Sequence, residues 1–309
     1  MDAVYILILA IGLDLIFGEP PTPVHPVAWI GQTIAFLIKA VRRRSPRAQF
    51  MWGLAVSLIT IGLFVSAVYF ILLFTRHVNI VLYLVLAAFI FKISFSLKGL
   101  MNAGMKVRNL LAQEKLEDAR FELRSLVGRN TSQLDKSLII SATIESVAEN
   151  SCDSFFAPLF FFLFLGVPGA IGYRVINTLD AMIGHHGEYE YLGKFAARLD
   201  AIANFIPARI TALAIVAASW ICRQKASAAW RIMLRDRRNT ESPNAGWTMG
   251  AIAGALDVQL EKVDYYKLGD SNSTLSIEKI DDSLRVVMMA TMLWILVVVL
   301  AEVIYHVAT

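Results

Sequence analysis

The sequence predicts an all-α protein, a polytopic bundle of membrane helices. Three observations carry that reading. Apolar residues make up 57% of the chain before glycine is counted, against roughly 45–50% with glycine for a soluble domain. Charged residues supply only 17%, and the mean hydropathy is +0.58. Several apolar runs also approach the ~20 residues that a spanning helix needs.

Taken in order, Val4–Phe17 is a short apolar run that carries Asp14. It has no basic leader and no small-residue cleavage site, so it reads as retained structure rather than a signal peptide. The tract "LDLIFGEPPTPVHPVAWIG" that follows its start is stiffened by prolines and holds Glu19 and His25. Trp29 suits an interfacial anchor. Phe50–Phe74 and Ile80–Leu97 are long enough to span, and "TRHVN" turns between them. Residues 98–150 read as a helical loop region. Leu116, Ala119, Leu123 and Leu126 share one side of a first helix that Gly128 or Asn130 would stop. A second helix would open at Thr131 or Ser132, with Asp135 as a weak capping-box partner.

Phe155–Ile171 is interrupted at Pro158 and ends in "GVPGAIG"; it either spans or re-enters. Re-entrant backbone is tolerated only where protein or a cavity covers it. Ile202–Cys222 and Val286–Val307 complete the set, giving four to six membrane segments in a single domain, 1–309. Basic residues cluster at Arg42–Arg47, across Lys98–Lys136 (eight Lys or Arg) and at Arg223–Arg238. The positive-inside tendency puts all three, and with them the 98–150 region, on the cytoplasmic side of a cell membrane. Cys152 and Cys222 stand far apart, which supports neither a disulfide framework nor a zinc site. P-loop, Rossmann, HExxH and GxSxG patterns are all missing, so any nucleotide binds by other means. Nucleic acid is not an expected partner.

Four constellations could carry chemistry. In "ESVAENSCDSFF", Glu145, Glu149 and Asp153 recur every four residues, so each advances only about 40° around a helix. Like charges so placed repel, and beside lipid an unpaired charge costs several kcal/mol. A cation should therefore meet this stripe: a metal ion, arginines, or both, with Asn150 among them. The second constellation sets Arg174, Asn177 and Asp180 on one helix face, with Arg198, Asp200, Asn204 and Arg209 following. Interhelical Arg–Asp bridges explain these residues as readily as a site does. His185 and His186 are adjacent, point apart on a helix and make no metal pair. Third, Gly246, Gly250 and Gly254 read as a close helix contact, while Ser242 and Asn244, in the turn before them, are better ligand candidates. Fourth is the Asp14, Glu19 and His25 tract.

Five ordered motifs, "DLIFGEPPTPVHPVAWIG", "ATIESVAENSCDSFFAPLF", "YRVINTLDAMIG", "ARLDAIANFIPARIT" and "SPNAGWTMGAIAGAL", resemble the CobD/CbiB family, the adenosylcobinamide-phosphate synthases of cobalamin biosynthesis. The resemblance runs from Asp14 to about Leu256. It departs from the family pattern at Glu19 (usually Asp), Ser154 (often Gly), Ala201 (commonly a second Asp) and Asp257 (usually Gly). It implies ATP-dependent amide formation between adenosylcobyric acid and aminopropanol or its phosphate, through an acyl phosphate. Joined to the residue reading, it implies Mg2+ on Glu145, Glu149 and Asp153, with Asp180 or Asp200 as base. Phosphate and substrate would meet Arg174, Arg198, Arg209, Asn150, Asn177, Asn204, Ser242, Asn244, His25 and Asp14, in one pocket facing the cytoplasm. ATP in the cytosol also favours the re-entrant option, which keeps Gly172–Ala201 inside. Two other classes remain open at this point: a corrinoid carrier, although no repeat symmetry is visible, and a membrane scaffold for soluble enzymes of the pathway.

Overall fold

The computed structural model describes residues 1–19, 26–39, 45–184 and 189–308. The helices are α1 (Asp2–Phe17), α2 (Pro26–Ile38), α3 (Pro46–Val78), α4 (Ile80–Ile93), α5 (Leu97–Ala112), α6 (Leu116–Leu123) and α7 (Lys136–Ser151). A π turn, Cys152–Phe156, leads into α8 (Ala157–Ile183), α9 (Lys194–Ala203), α10 (Phe205–Ile221), α11 (Ala226–Asp236) and α12 (Ala245–Leu256). The strands β1 (Leu260–Lys262) and β2 (Tyr266–Leu268) precede the last helix, α13 (Ile277–Ala308). The all-α expectation holds.

Four helical stretches are long and apolar enough to cross a membrane: Pro46–Val78, Ile80–Ala112, Lys136–Ile183 and Ile277–Ala308. The pair α9 and α10, bent by 45°, is a fifth if taken as one broken span. Phe70, Phe74, Val81, Phe89, Trp220 and Ile304 lie exposed on these helices. So broad an apolar surface suits lipid rather than water, as befits a multi-pass membrane protein.

The chain folds into two compact, interleaved units. The first comprises Met1–Ser96, Ala157–Asn204 and Val298–Thr309. Here Asn79 ends α3 and caps α4, its Oδ1 accepting from the amides of Val81 (2.8 Å) and Leu82 (3.0 Å). α1 runs parallel to α4, because Asp2 pairs with Arg76 near the Asn79 turn (3.3 Å) while Asp14 pairs with Lys92 at the far end (3.3 Å).

α8 is where the sequence left two options. Gly166 takes φ 64° and ψ −161° inside it, a conformation that only glycine adopts cheaply. Beyond it the chain folds back. The Phe161 ring stacks on Tyr173 at 5.2 Å, yet twelve residues of straight helix would hold them about 18 Å apart. Gly169 lies so near Phe161 that a Cβ there would stand 2.8 Å from its carbonyl oxygen. Pro168 falls in the first turn of the returning limb, where its missing amide hydrogen costs little.

That limb descends antiparallel to α3. Gly166 shares a cavity of about 410 Å3 with Arg76, Gly172 abuts Val65, and Leu192, just past the limb, meets Gly53. The segment is therefore a helical hairpin, and Lys194 emerges at the same end of α3 as Arg47.

The second unit comprises Leu97–Phe156 and Phe205–Val297. α6 stops at Leu123, short of Gly128, with Ala119 and Leu123 fully buried. α7 starts at Lys136, later than expected, because Asp135 itself is the cap and accepts from the Leu138 amide at 2.8 Å. Thr131 instead donates to the Arg120 carbonyl (2.7 Å) and pins the connecting segment.

α12 is buried along its whole length. Its glycines make the close helix contact: a Cβ on Gly254 would lie 2.7 Å from the Ala229 Cα, and one on Gly246 would lie 2.5 Å from the Arg237 carbonyl oxygen. Asp257 ends α12 at φ 58°, which explains why glycine suits that position; the aspartate is held there by Lys225 (2.6 Å) and Asn272 (3.0 Å). Asp236 closes α11 onto the ribbon, accepting from Arg235 (2.6 and 2.9 Å) and from the Gly269 amide (2.7 Å).

Two outcomes test this architecture. Cysteines placed at Arg47 and Lys194 should be labelled by an impermeant thiol reagent from one side of the membrane, and one at Asn79 from the other; opposite labelling of the first two would remove the hairpin. The second concerns Asp236. Burial alone would raise its pKa, but the Arg235 and Gly269 hydrogen bonds prevail and lower it. Its contribution is thus fully present above the ordinary aspartate pKa near 3.9 and is lost as pH falls through the lower folded-state value. Asp236→Asn should cost about 1–3 kcal/mol at pH 7, with the gap to wild type narrowing in acid unfolding curves below about pH 4.

Candidate functional site

The acid stripe lies in the second unit. Glu145 is sealed within it, with 4% of its surface exposed. Burial of a lone carboxylate would cost several kcal/mol, and donors from separate segments offset that cost. The Ser141 hydroxyl, one turn back on α7, donates to Oε1 at 2.7 Å. The Tyr266 hydroxyl donates to Oε2 at 3.1 Å. The Arg129 guanidinium approaches Oε2 at 3.5 Å, and Lys262 adds positive charge nearby. The expected cation is therefore present as Arg129.

Ser141 also accepts from the Glu261 amide at 2.8 Å, which docks β1 on α7. β1 and β2 pair antiparallel with Lys262 opposite Tyr266, and this register turns the Tyr266 ring toward the carboxylate. Burial, and then the charges of Glu145 and Glu149, push the Tyr266 phenol well above its ordinary pKa. It stays a neutral donor.

Glu149 is the next acid along and feels the field of Glu145, Lys262 and Arg129. Half-buried, it makes no hydrogen bond or ion pair among the described residues. Asp153 falls inside the π turn, whose wider winding breaks the regular four-residue phase that the sequence suggested. Asn150 reaches only the Leu126 carbonyl, at 3.4 Å. Among the described residues, no three Asp, Glu, His or Cys side chains gather into a preassembled metal site. Glu145 has its oxygens engaged by three donors. Glu149 is the acid whose surroundings best suit Mg2+, which takes one or two carboxylates and fills its remaining positions with phosphate oxygens and water.

A cavity of about 710 Å3 opens elsewhere on the same unit, lined by Arg209, Arg237, Arg238 and Trp247 among others. Arg209 donates to Asn244 Oδ1 (2.6 Å) and to the Phe205 carbonyl (2.7 Å). Asn244 thus serves Arg209, and the exposed Ser242 caps α12 in its place, accepting from the amides of Asn244 and Ala245 at 3.3 Å each. α12 links this cavity to the acids. Asn244 sits at its start, and Met249, five residues or about 7.5 Å along, has its sulfur 3.7 Å from the Tyr266 hydroxyl.

The remaining expected residues belong to the first unit. Tyr173 donates to Asn204 Oδ1 (2.9 Å), and Asn204 Nδ2 donates to Asp200 Oδ2 (3.0 Å). Arg174 is half-buried, and its enclosed Nε has no hydrogen-bond partner among the described residues. Asn177 and Asp180 are half-buried on α8, and Arg198 is exposed on α9. Asp14, 1% exposed, is committed to Lys92. His25, His185 and His186 lie outside the described residues.

Lys92, Arg129, Ser141 and Tyr266 were missed by sequence reasoning, and so were Arg237, Arg238 and Trp247 as cavity walls. A lysine within an apolar run was the one signal available, for Lys92.

A family model described as CobD/Cbib protein matches residues 7–296. The cobalamin biosynthesis protein CobD of Dehalococcoides mccartyi (strain CBDB1) is 46% identical over 297 residues, covering 96% of each chain. The probable cobalamin biosynthesis protein CobD of Methanothermobacter thermautotrophicus is 40% identical over 287 residues, 92% of this chain and 93% of its own. The cobalamin biosynthesis protein CbiB of Salmonella typhimurium is 34% identical over 301 residues, 94% of each. No solved structure matches.

Tyr266→Phe should destabilise the protein by about 1–3 kcal/mol, the cost of leaving a buried acceptor short of a donor. Lys267→Ala, on the exposed neighbour, should stay within about 0.5 kcal/mol. Thermal unfolding in detergent makes the comparison; equal melting of the two variants would contradict the role given to Glu145.

Proposed function

The chain belongs to the CobD/CbiB family and takes part in cobalamin biosynthesis. From that premise we propose that it is a ligase joining the free carboxylate of adenosylcobyric acid to the amine of aminopropanol or its phosphate, with ATP as the activating substrate. One observation supports this most: a cavity walled by arginines and the Glu145–Glu149 pair of α7 both lie against one helix, α12, the arginines at Asn244 and Trp247 and the acids, through Tyr266, at Met249. Amide formation from a carboxylate needs both. The carboxylate oxygen takes the terminal phosphoryl group of ATP, and ADP departs. The neutral amine then attacks the carbonyl carbon, the C–N bond forms, and phosphate leaves with the former carboxylate oxygen and the proton that the amine gives up.

Guanidiniums suit the phosphates through bidentate hydrogen bonds. Glu149 suits Mg2+, and when bound the ion would offset negative charge on the phosphate oxygens. Glu145 holds β1, β2 and the Arg129 segment around that position and is thereby kept from moving. The half-buried setting near lipid lowers the local dielectric, which strengthens each of these charge interactions.

Purified protein supplied with adenosylcobyric acid, aminopropanol phosphate and Mg-ATP should yield a corrinoid heavier by the amine less one water, read by mass spectrometry. No product from the intact protein would end the ligase reading. Glu149→Gln should lower the rate at least about a hundredfold, the scale of losing a charge-stabilising group at a reacting centre. Undiminished turnover would remove this acid from the reaction.

A further inference from the structure

The cavity at the start of α12 holds more positive charge than the described residues neutralise. Arg209 and Arg237 each place the guanidinium carbon 4.7 Å from the Trp247 ring centroid. Arg209 also lies 3.7 Å over Phe205, and Arg238 shares the wall. Two like charges on one ring repel each other. Yet the hydrogen bonds of Arg209 go to neutral acceptors, an amide and a carbonyl, and among the described residues no carboxylate forms an ion pair with any of the three. The one acid on the lining, Glu241, is exposed.

Several other arginines in this unit do meet carboxylates. Arg235 meets Asp236 and Asp270, Arg231 meets Asp270, and Arg108 meets Asp281. The arrangement is also built rather than incidental. Gly246 lets the Arg237 backbone approach α12 more closely than any side chain would permit. That approach sets Arg237 against Trp247, and the indole fixes the guanidinium plane while leaving its donor edge open.

We infer that this cavity binds the polyphosphate end of a soluble nucleotide, with Arg237 and Arg238 as phosphate ligands beside Arg209 and with Trp247 as their positioning residue. The inference rests on the ligase reading for the nucleotide's role and deepens it. The volume, about 710 Å3, exceeds what a lone phosphate fills and lies in the small-molecule range of roughly 300–1,000 Å3. The Trp247 ring already serves two guanidiniums, so it is not a platform for the base; recognition falls on the phosphates.

The test is equilibrium binding of radiolabelled ATP to the protein in phosphatidylcholine nanodiscs, competed by inorganic tripolyphosphate, adenosine or aminopropanol phosphate. Tripolyphosphate should displace ATP and adenosine should not. Arg237→Gln and Arg238→Gln should each weaken tripolyphosphate binding at least about tenfold, the value of a charge-assisted hydrogen bond, while Lys267→Gln leaves it unchanged. Arg238 is exposed, so its variant keeps the test open should Arg237→Gln fail to fold. Unchanged binding in the arginine variants would overturn the inference. So would displacement by aminopropanol phosphate with tripolyphosphate inert, or loss of tripolyphosphate binding once phosphatidylglycerol is added, which would give the cavity to a lipid headgroup.

The two readings fail separately. Tripolyphosphate binding that depends on Arg237, with no amide product from the wild-type protein, keeps the cavity assignment and removes the ligase. Product formation with binding indifferent to Arg237 does the reverse.

Discussion

A carboxylate sealed inside the second unit organises what surrounds it. Glu145 can be buried at 4% exposure only because Ser141, Tyr266 and Arg129 converge on it. Each partner arrives on a different piece of chain: α7 itself, the ribbon after α12, and the segment between α6 and α7. An unsatisfied buried charge would be dearer than any single contact here, so these three pieces are fixed relative to one another by electrostatics as much as by packing. The neighbouring Glu149 is then left exposed to the same field but without donors of its own. That asymmetry, one acid saturated and the next open, separates a structural carboxylate from one available to a ligand.

α12 extends the order outward. It is small-residue rich, and its glycines bring α11 into backbone contact. Close approach puts Arg237 beside Trp247 at one end, and Met249 beside Tyr266 a little further along. A helix usually credited only with packing thereby spaces a cationic cavity from an acidic pair. The glycine stripe is no ligand site, yet the separation of the ligand candidates depends on it.

In the first unit the equivalent constraint is the turn at Gly166. An apolar run of this kind could pass through a bilayer or double back, and hydropathy is the same either way. A positive φ at one residue, followed by proline in the next turn, sends the chain back along α3. Arg174, Asn177 and Asp180 thereby come to lie on a returning limb, toward the end of α3 where Arg47 begins. Asp14 and Lys92 secure the neighbouring pair of helices with a second buried ion pair.

By itself the sequence determined the helical class, the long apolar spans, the stripe of acids at Glu145 and Glu149, the close contact made by Gly246, Gly250 and Gly254, and the family. These are local properties: hydropathy, period and motif order are read within a few turns of chain. Tertiary structure alone decided which cation meets Glu145, that Tyr266 reaches it from 121 residues away, that a π turn takes Asp153 out of phase, and that Arg237 and Arg238 join Arg209. Only folding brings such distant groups within hydrogen-bonding range, and short strands like β1 and β2 leave too brief a pattern to foretell it. Pairing across that distance is chosen by burial, because a charge withdrawn from water must find its partner wherever the fold delivers one.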